Sequence, residues 1–330
     1  MKPVIVIALT LAALPLVSCD KAKELASKAS ELKEAVETKK AKAEGTLADP
    51  ELQKLVDQTD EGVMFRSDLP FPTRIDVRTT RKVVLSGRFF QASELGSEAK
   101  QVEGIQTTVT KLERAAGAVR YTLLDSGFSK PVVEGAETAP MESAEQPLPA
   151  AVNKKPVTFR KVGEKWRTDD KEGFRAVVLS KQLGPVFDDL LIDNSLAARP
   201  LWFPQRRIHL GEEMTLTGDT LKMLVAGKAK GTLKLKFEAI EAVEGHPCGV
   251  FSVTGDLSRR QFPDFEGNFT DEDMTIESGK LWLSLLYPIV LKEQLDTIQT
   301  IKTGGGGNLV ARGQGSVKIN VVREWTRPEN

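Results

Sequence analysis

Apolar and polar residues alternate along much of the chain with a period of two. Ile75, Val77 and Thr79 alternate with Arg74, Asp76 and Arg78. Leu233, Leu235, Phe237 and Ala239 alternate with Lys234, Lys236 and Glu238, and Val317, Ile319 and Val321 with Lys318 and Asn320. Successive side chains of a strand point to opposite faces, so the alternation predicts strands with one buried and one wet face, and hence antiparallel sheet. Ser86-Gly87, Ser126-Gly127, Gly163, Gly218-Asp219, Glu244-Gly245, Thr254-Gly255 and Ser278-Gly279 read as turns between strands. The expected fold is mainly β, built of curved antiparallel sheet.

Helical periods are scarce. Between Gly184 and Arg199, Val186, Phe187, Leu190 and Leu191 fall on one face of a predicted helix. It separates two stretches that align weakly: Gly104 to Ser129 and Gly231 to Ser258, each reading strand, turn, strand. They are either copies of one β-meander or two amphipathic hairpins of ordinary likeness. The expected organisation is a leader at 1–18, a helical spacer at 19–60, a first meander at 61–180, a connecting helix at 181–199 and a second meander at 200–330. Residues 134–155, with Pro140, Pro147 and Pro149, read as a long loop, and Gly304 to Gly307 as a hairpin tip.

Asp49-Pro50-Glu51 predicts a helix start, with an N-cap, a proline in the first turn and an acid at the positive dipole end; the helix should reach about Asp57. Asp20 to Gly45 is rich in Ala, Lys and Glu, with Leu25, Ala29, Leu32 and Val36 in a narrow seam. This segment is either a solvated spacer or a weak self-association helix over 25–36.

The first eighteen residues change the picture from fold to location. Lys2 precedes an apolar run from Val4 to Leu16, too short for a spanning helix, which needs about 20 apolar residues. The run ends in Leu16-Val17-Ser18-Cys19, which resembles the lipobox of bacterial lipoproteins: aliphatic, tolerant, small, cysteine. The resemblance covers residues 1–19. It implies cleavage between Ser18 and Cys19, and acylation of Cys19 on sulfur and on its new amino group. Each buried methylene of those chains contributes ~0.8 kcal/mol, so two or more chains hold the protein to a membrane without a spanning helix. The alternative is a secreted protein with a chance cysteine at its cleavage site. In enterobacteria-like sorting, an Asp directly after the cysteine, as Asp20 is, retains a lipoprotein in the inner membrane, with the body in the periplasm; the other location is the cell surface.

Composition removes several functions. Lys plus Arg and Asp plus Glu number 46 each in the 330 residues, which leaves no basic excess for a phosphate backbone, so nucleic acid is not an expected partner. With Cys19 a thioether, Cys248 has no second cysteine in the chain, so disulfides do not hold the fold.

Candidate chemistry is sparse. The two histidines are His209, in a predicted strand from Arg207 to Leu210, and His246, in a turn before Pro247-Cys248. A hydrolase would need one of them in a cleft beside acids. Acidic clusters stand at Asp188, Asp189 and Asp193, and from Asp264 to Asp273, without EF-hand spacing. No nucleophile elbow, zinc helix or P-loop occurs, and no metal or cofactor is expected.

The expected function is therefore binding. Val157 to Trp166 resembles the strand, Gly-turn, Trp hairpin of envelope proteins that carry lipids or lipoproteins. That resemblance implies an apolar ligand or a protein client held between sheet and helix. The expected cavity lining is Phe187, Leu190 and Leu191 from the helix, with Leu281, Leu283 and Leu285 from a strand apolar on both faces. The competing expectation is a structural lipoprotein with a solid core that recruits other envelope components.

Overall fold

The computed structural model describes residues 46–66, 75–91, 100–115, 117–129, 155–162, 165–173, 203, 206–225, 229–260, 269–305 and 308–325. The predicted leader, most of the spacer, the 181–199 helix with Phe187, Leu190 and Leu191, nearly all of the 134–155 loop, and the Asp188 to Asp193 and Asp264 acids lie outside the described residues. In chain order the strands are β1 (Gln58–Thr59), β2 (Gly62–Met64), β3 (Ile75–Gln91), β4 (Lys100–Ala115), β5 (Ala118–Ser129), β6 (Val157–Val162) and β7 (Lys165–Arg167). They continue with β8 (Arg207–Ile208), β9 (Glu213–Thr217), β10 (Ala229–Val243), β11 (His246–Arg260), β12 (Phe269–Ser284), β13 (Val290–Gly305) and β14 (Asn308–Trp325). A helix α1 (Pro50–Gln53) precedes them and a 3₁₀ helix (Gly218–Met223) follows β9.

The fold is mainly β, as the alternation predicts. Among the described residues an eleven-stranded sheet runs β7-β6-β5-β4-β3-β14-β13-β12-β11-β10-β9, and a small sheet runs β1-β2-β8. Every neighbour in the large sheet is antiparallel. One meander, β3 to β7, and another, β9 to β14, share this sheet because β14 pairs with β3 from Ala311↔Gln91 to Trp325↔Val77. The seam is tight where Gly315 faces Gly87: a Cβ on Gly315 would stand 2.4 Å from the Ser86 carbonyl oxygen.

Four of the expected turns are not turns. Ser86-Gly87, Ser126-Gly127, Thr254-Gly255 and Ser278-Gly279 lie inside β3, β5, β11 and β12. Glycine within a strand marks a bulge or a close backbone approach as readily as a turn. Glu244 and Gly245 do turn the β10–β11 hairpin, both at positive φ (50° and 75°). Helix α1 starts as expected, with Asp49 Oδ1 accepting from the Glu51 amide at 2.8 Å, but it ends at Gln53 rather than near Asp57. Leu55 and Val56 donate to Leu52 and Gln53 instead, three residues back, which tightens and closes the helix.

The inner face of β9 to β14 and β3 carries the main core: Leu233, Leu235, Phe237, Phe251, Val253, Ile276, Leu281, Val317 and Ile319 among others. The small sheet covers part of it. Phe65 follows β2 and lies 5.7 Å from the Phe237 ring and 5.5 Å from Phe251, while Phe203 stacks on Phe65 at 4.4 Å. A second cluster, with Val77, Cys248, Val250, Trp282, Tyr287, Leu291 and Trp325, closes one end. Between these clusters the inner face turns charged. Arg323, 1% exposed, donates to Glu293 Oε1 at 3.1 Å and to the Val290 carbonyl at 2.9 Å. Arg81 donates to Thr108 Oγ1 at 3.0 Å, and burial pushes its pKa down to about 10, against the opposing pull of Tyr121 and Glu293.

Candidate ligand trough

The expected cavity wall of β12 is packed solid. Leu281 and Leu283 are 0% exposed and Leu285 is 1%, all within the main core. Leu285 and Leu286 also lie past the end of β12, in the bend that carries the chain to β13. The strand is apolar on both faces because Trp282, which alternates with Leu281 and Leu283, enters the second cluster.

A hollow lies on the opposite face of the same strands. It measures about 590 Å³ and is lined from β3, β11, β12, β13 and β14, including Lys82, Val84, Ser252, Thr254, Ser278, Lys280, Gln294, Asp296, Lys318 and Asn320. These side chains alternate with the core residues Val83, Val253, Leu281, Leu295 and Ile319, so the trough is floored by the wet face of the sheet.

Strand register assembles it. One cross-strand row reads Ser252, Lys280, Gln294, Asn320, Lys82. The next reads Ser278, Asp296, Lys318, Val84. Register shifts fall at the same height between Phe237 and Ala239, between Ser252 and Gly255, and between Ile276 and Ser278. Each inserts extra backbone on one side of a pair, which bends the strand and raises its twist, and together they hollow the face. Gly255 serves one shift at φ 145°, and Gly279 lets Leu295 Cδ2 and Val253 Cγ1 close on the inner side, where a Cβ would meet them at 2.6 and 2.8 Å.

The trough is basic, with Lys82, Lys280 and Lys318 against Asp296, and Val84 is the apolar side chain that its wet face contributes. Lys318 Nζ lies 3.3 Å from Asp296 Oδ1, and Lys280 Nζ lies 3.4 Å from Glu238 Oε2, on the bulged residue of β10. Lys82 is exposed and makes no ion pair among the described residues. The next row along these strands holds Val250, Trp282, Lys292 and Val322. Lys292 Nζ sits 4.4 Å above the Trp282 ring, and Trp282 Nε1 donates to Glu241 Oε2 at 2.8 Å. Ile298 is 42% exposed, in the row beyond Asp296.

Neither histidine joins the trough. His209 stands just past β8, exposed, its backbone amide donating to Glu212 Oε2 at 3.1 Å; Glu212 pairs with Arg206, which holds its carboxyl below the usual range. His246 opens β11 at 0% exposure, stacked 4.9 Å from Trp325, with Nε2 2.8 Å from the Trp325 carbonyl. Cys248, two residues on, is a buried thiol whose pKa burial raises. Among the described residues no three His, Cys, Asp or Glu side chains group as metal ligands, and no helix is long and apolar enough to cross a membrane.

Sequence reasoning missed the trough. Its only trace was the lysines at wet positions of β3, β12 and β14, which register alone brings together.

The architecture defines a class: an open, all-antiparallel sheet whose outermost strands among the described residues are β7 and β9. The solved structure described as "Lipid-protein interactions in lipovitellin" is similar to this chain with a TM-score of 0.35 and 9% identity, over 78% of this chain and 26% of that one. No family model matches the chain, and no curated protein matches it.

Proposed function

We propose that this chain is a lipid-anchored envelope protein that binds a largely apolar ligand without transforming it. Leu16-Val17-Ser18-Cys19 supports the anchor, with Cys19 the acylated residue. The single observation that supports binding is the trough of about 590 Å³, a volume in the range of small-ligand sites. Its walls include the aliphatic stems of Lys82, Lys280 and Lys318 with Val84; such stems cover apolar surface while their ammonium groups stay wet. The ligand therefore rests on the wet face of the sheet, while the Leu281 face supplies stability.

Two experiments test this reading. Cys19→Ala should leave the protein unlipidated and release it from membranes; unmodified mature Cys19 in wild-type membranes overturns the anchor. Mass spectrometry of an organic extract of the purified wild-type protein should reveal a stoichiometric lipophilic molecule, and its absence overturns the binding reading.

A further inference from the structure

We infer that the trough takes a single-chain anionic amphiphile, an acyl chain ending in a carboxylate; this rests on the binding reading above and specifies its ligand. The charges point that way. Lys82, Lys280 and Lys318 line the trough against one carboxylate, Asp296. Glu238 reaches Lys280 from outside the lining, and Asp296 pairs with Lys318, so Lys82 is the cation left for a ligand's anion. Lys82 faces Asn320 directly across the β3–β14 seam, so a head held by its ammonium group lies over that seam. Beside that head Asn320 offers an amide donor, with Gln294 one strand further along the same row.

The hydrocarbon follows a different line. Val84 is half-buried, and its partner on β4 is Ile105, also half-buried. The two stand side by side in the row next to Lys82, a short aliphatic strip that leads from the trough onto β4. A strip of this width suits one chain. A polyanion would leave Val84 and Ile105 uncovered, and a neutral lipid would leave Lys82 without a counter-charge.

Calorimetric titration of the full mature chain carrying Cys19→Ala, free of its own acyl groups and of detergent, tests this. Palmitate should bind saturably. Hexadecanol, with the same chain and no charge, should bind at least about tenfold more weakly, and inorganic phosphate not at all, because a charge-assisted contact is lost in one case and the chain in the other. Lys82→Met keeps the aliphatic stem and removes the charge; it should bring palmitate down to the level of hexadecanol and leave hexadecanol and the urea midpoint unchanged. Vesicles of phosphatidylglycerol should not compete, since a two-chain lipid overfills the strip. Equal binding of palmitate and hexadecanol, competition by the vesicles, or palmitate binding untouched by Lys82→Met overturns the inference. A lipophilic molecule that co-purifies with wild type and with Lys82→Met alike, without palmitate binding, sinks the anionic head and leaves the binding module standing. Failure of extraction and titration together sinks both.

Discussion

Leu283 is where a packed sheet and a hollow one predict opposite results. It is 0% exposed, faces Gly249 on β11 and Val290 on β13, and belongs to the cluster that holds Phe65, Phe237 and Phe251. The space beside it is full: a Cβ on Gly249 would stand 2.5 Å from Phe65 Cζ and 3.2 Å from Phe237 Cε2. Leu283→Ala removes three carbons that these neighbours cannot replace and should cost about 2–5 kcal/mol. Leu283→Trp adds a ring with no space to enter and should cost about 1–3 kcal/mol from overpacking, with about 1–3 kcal/mol more if the indole N–H finds no acceptor. Urea denaturation followed by circular dichroism measures both. The midpoint should fall for each variant while the slope stays that of wild type, since the surface exposed on unfolding is nearly the same. A hollow interior reverses the tryptophan result: the ring is accommodated and the midpoint stays put or rises. A wild-type midpoint for Leu283→Trp would refute the packed face and return the ligand to the space between sheet and helix.

Three further outcomes follow from the described contacts. Glu293→Leu removes the carboxylate paired with Arg323, 1% exposed, and should cost about 3–5 kcal/mol, whereas the double change with Arg323→Met should recover most of it; equal losses in a double-mutant cycle would contradict this. Gly315→Val should destabilise by about 1–3 kcal/mol, because its side chain meets the Ser86 carbonyl across the seam, while Gly127→Ala, with nothing within 4 Å, should stay within about 0.5 kcal/mol in the same urea titration. Cys248, fully buried with its pKa raised, should react with a thiol reagent only after denaturation, and reductant should leave the melting temperature unchanged; fast labelling of the folded chain would show that the end cluster is open.

Alternation made the strands legible, and strand order less so. The periods of Ile75 to Thr79, Leu233 to Ala239 and Val317 to Val321 each mark a real strand, and each apolar set lies buried, with only Thr79 reaching intermediate exposure. Pairing of β14 with β3 closes a loop of more than two hundred residues, and no local signal carries a contact of that separation. The aligned hairpins are both real, as β4–β5 and β10–β11. Yet the first has its extra residue, Leu124, on the second strand, and the other has Glu238 on the first. That difference favours the ordinary likeness of amphipathic hairpins over a copied unit. His209 and His246 were visible as the only histidines, but exposure and burial are decided by what surrounds them in space: an exposed position beside Glu212 for one, the Trp325 ring for the other.

Glycine explains both the misreading and the trough. Thr254-Gly255 and Ser278-Gly279 have the composition of turns, and in a chain with shorter strands they would be turns. Here β11 and β12 run for 15 and 16 residues, well beyond the common strand length of about 5–6, and an even twist over that length would give a ribbon without a pocket. The two glycines instead sit at register shifts, where the missing Cβ lets Gly255 approach the Thr232 carbonyl and lets Leu295 and Val253 pack under Gly279. The strands bend there while their ladder continues on both sides. Thr254, Ser278 and Gly279 accordingly line the trough themselves. A side chain at Gly279 would push Leu295 and Val253 apart on the core side and flatten the face on the other. Core packing and ligand binding are thus joined through the same residue, and a Gly279→Val chain that lost palmitate binding in proportion to its lost stability would show that coupling directly.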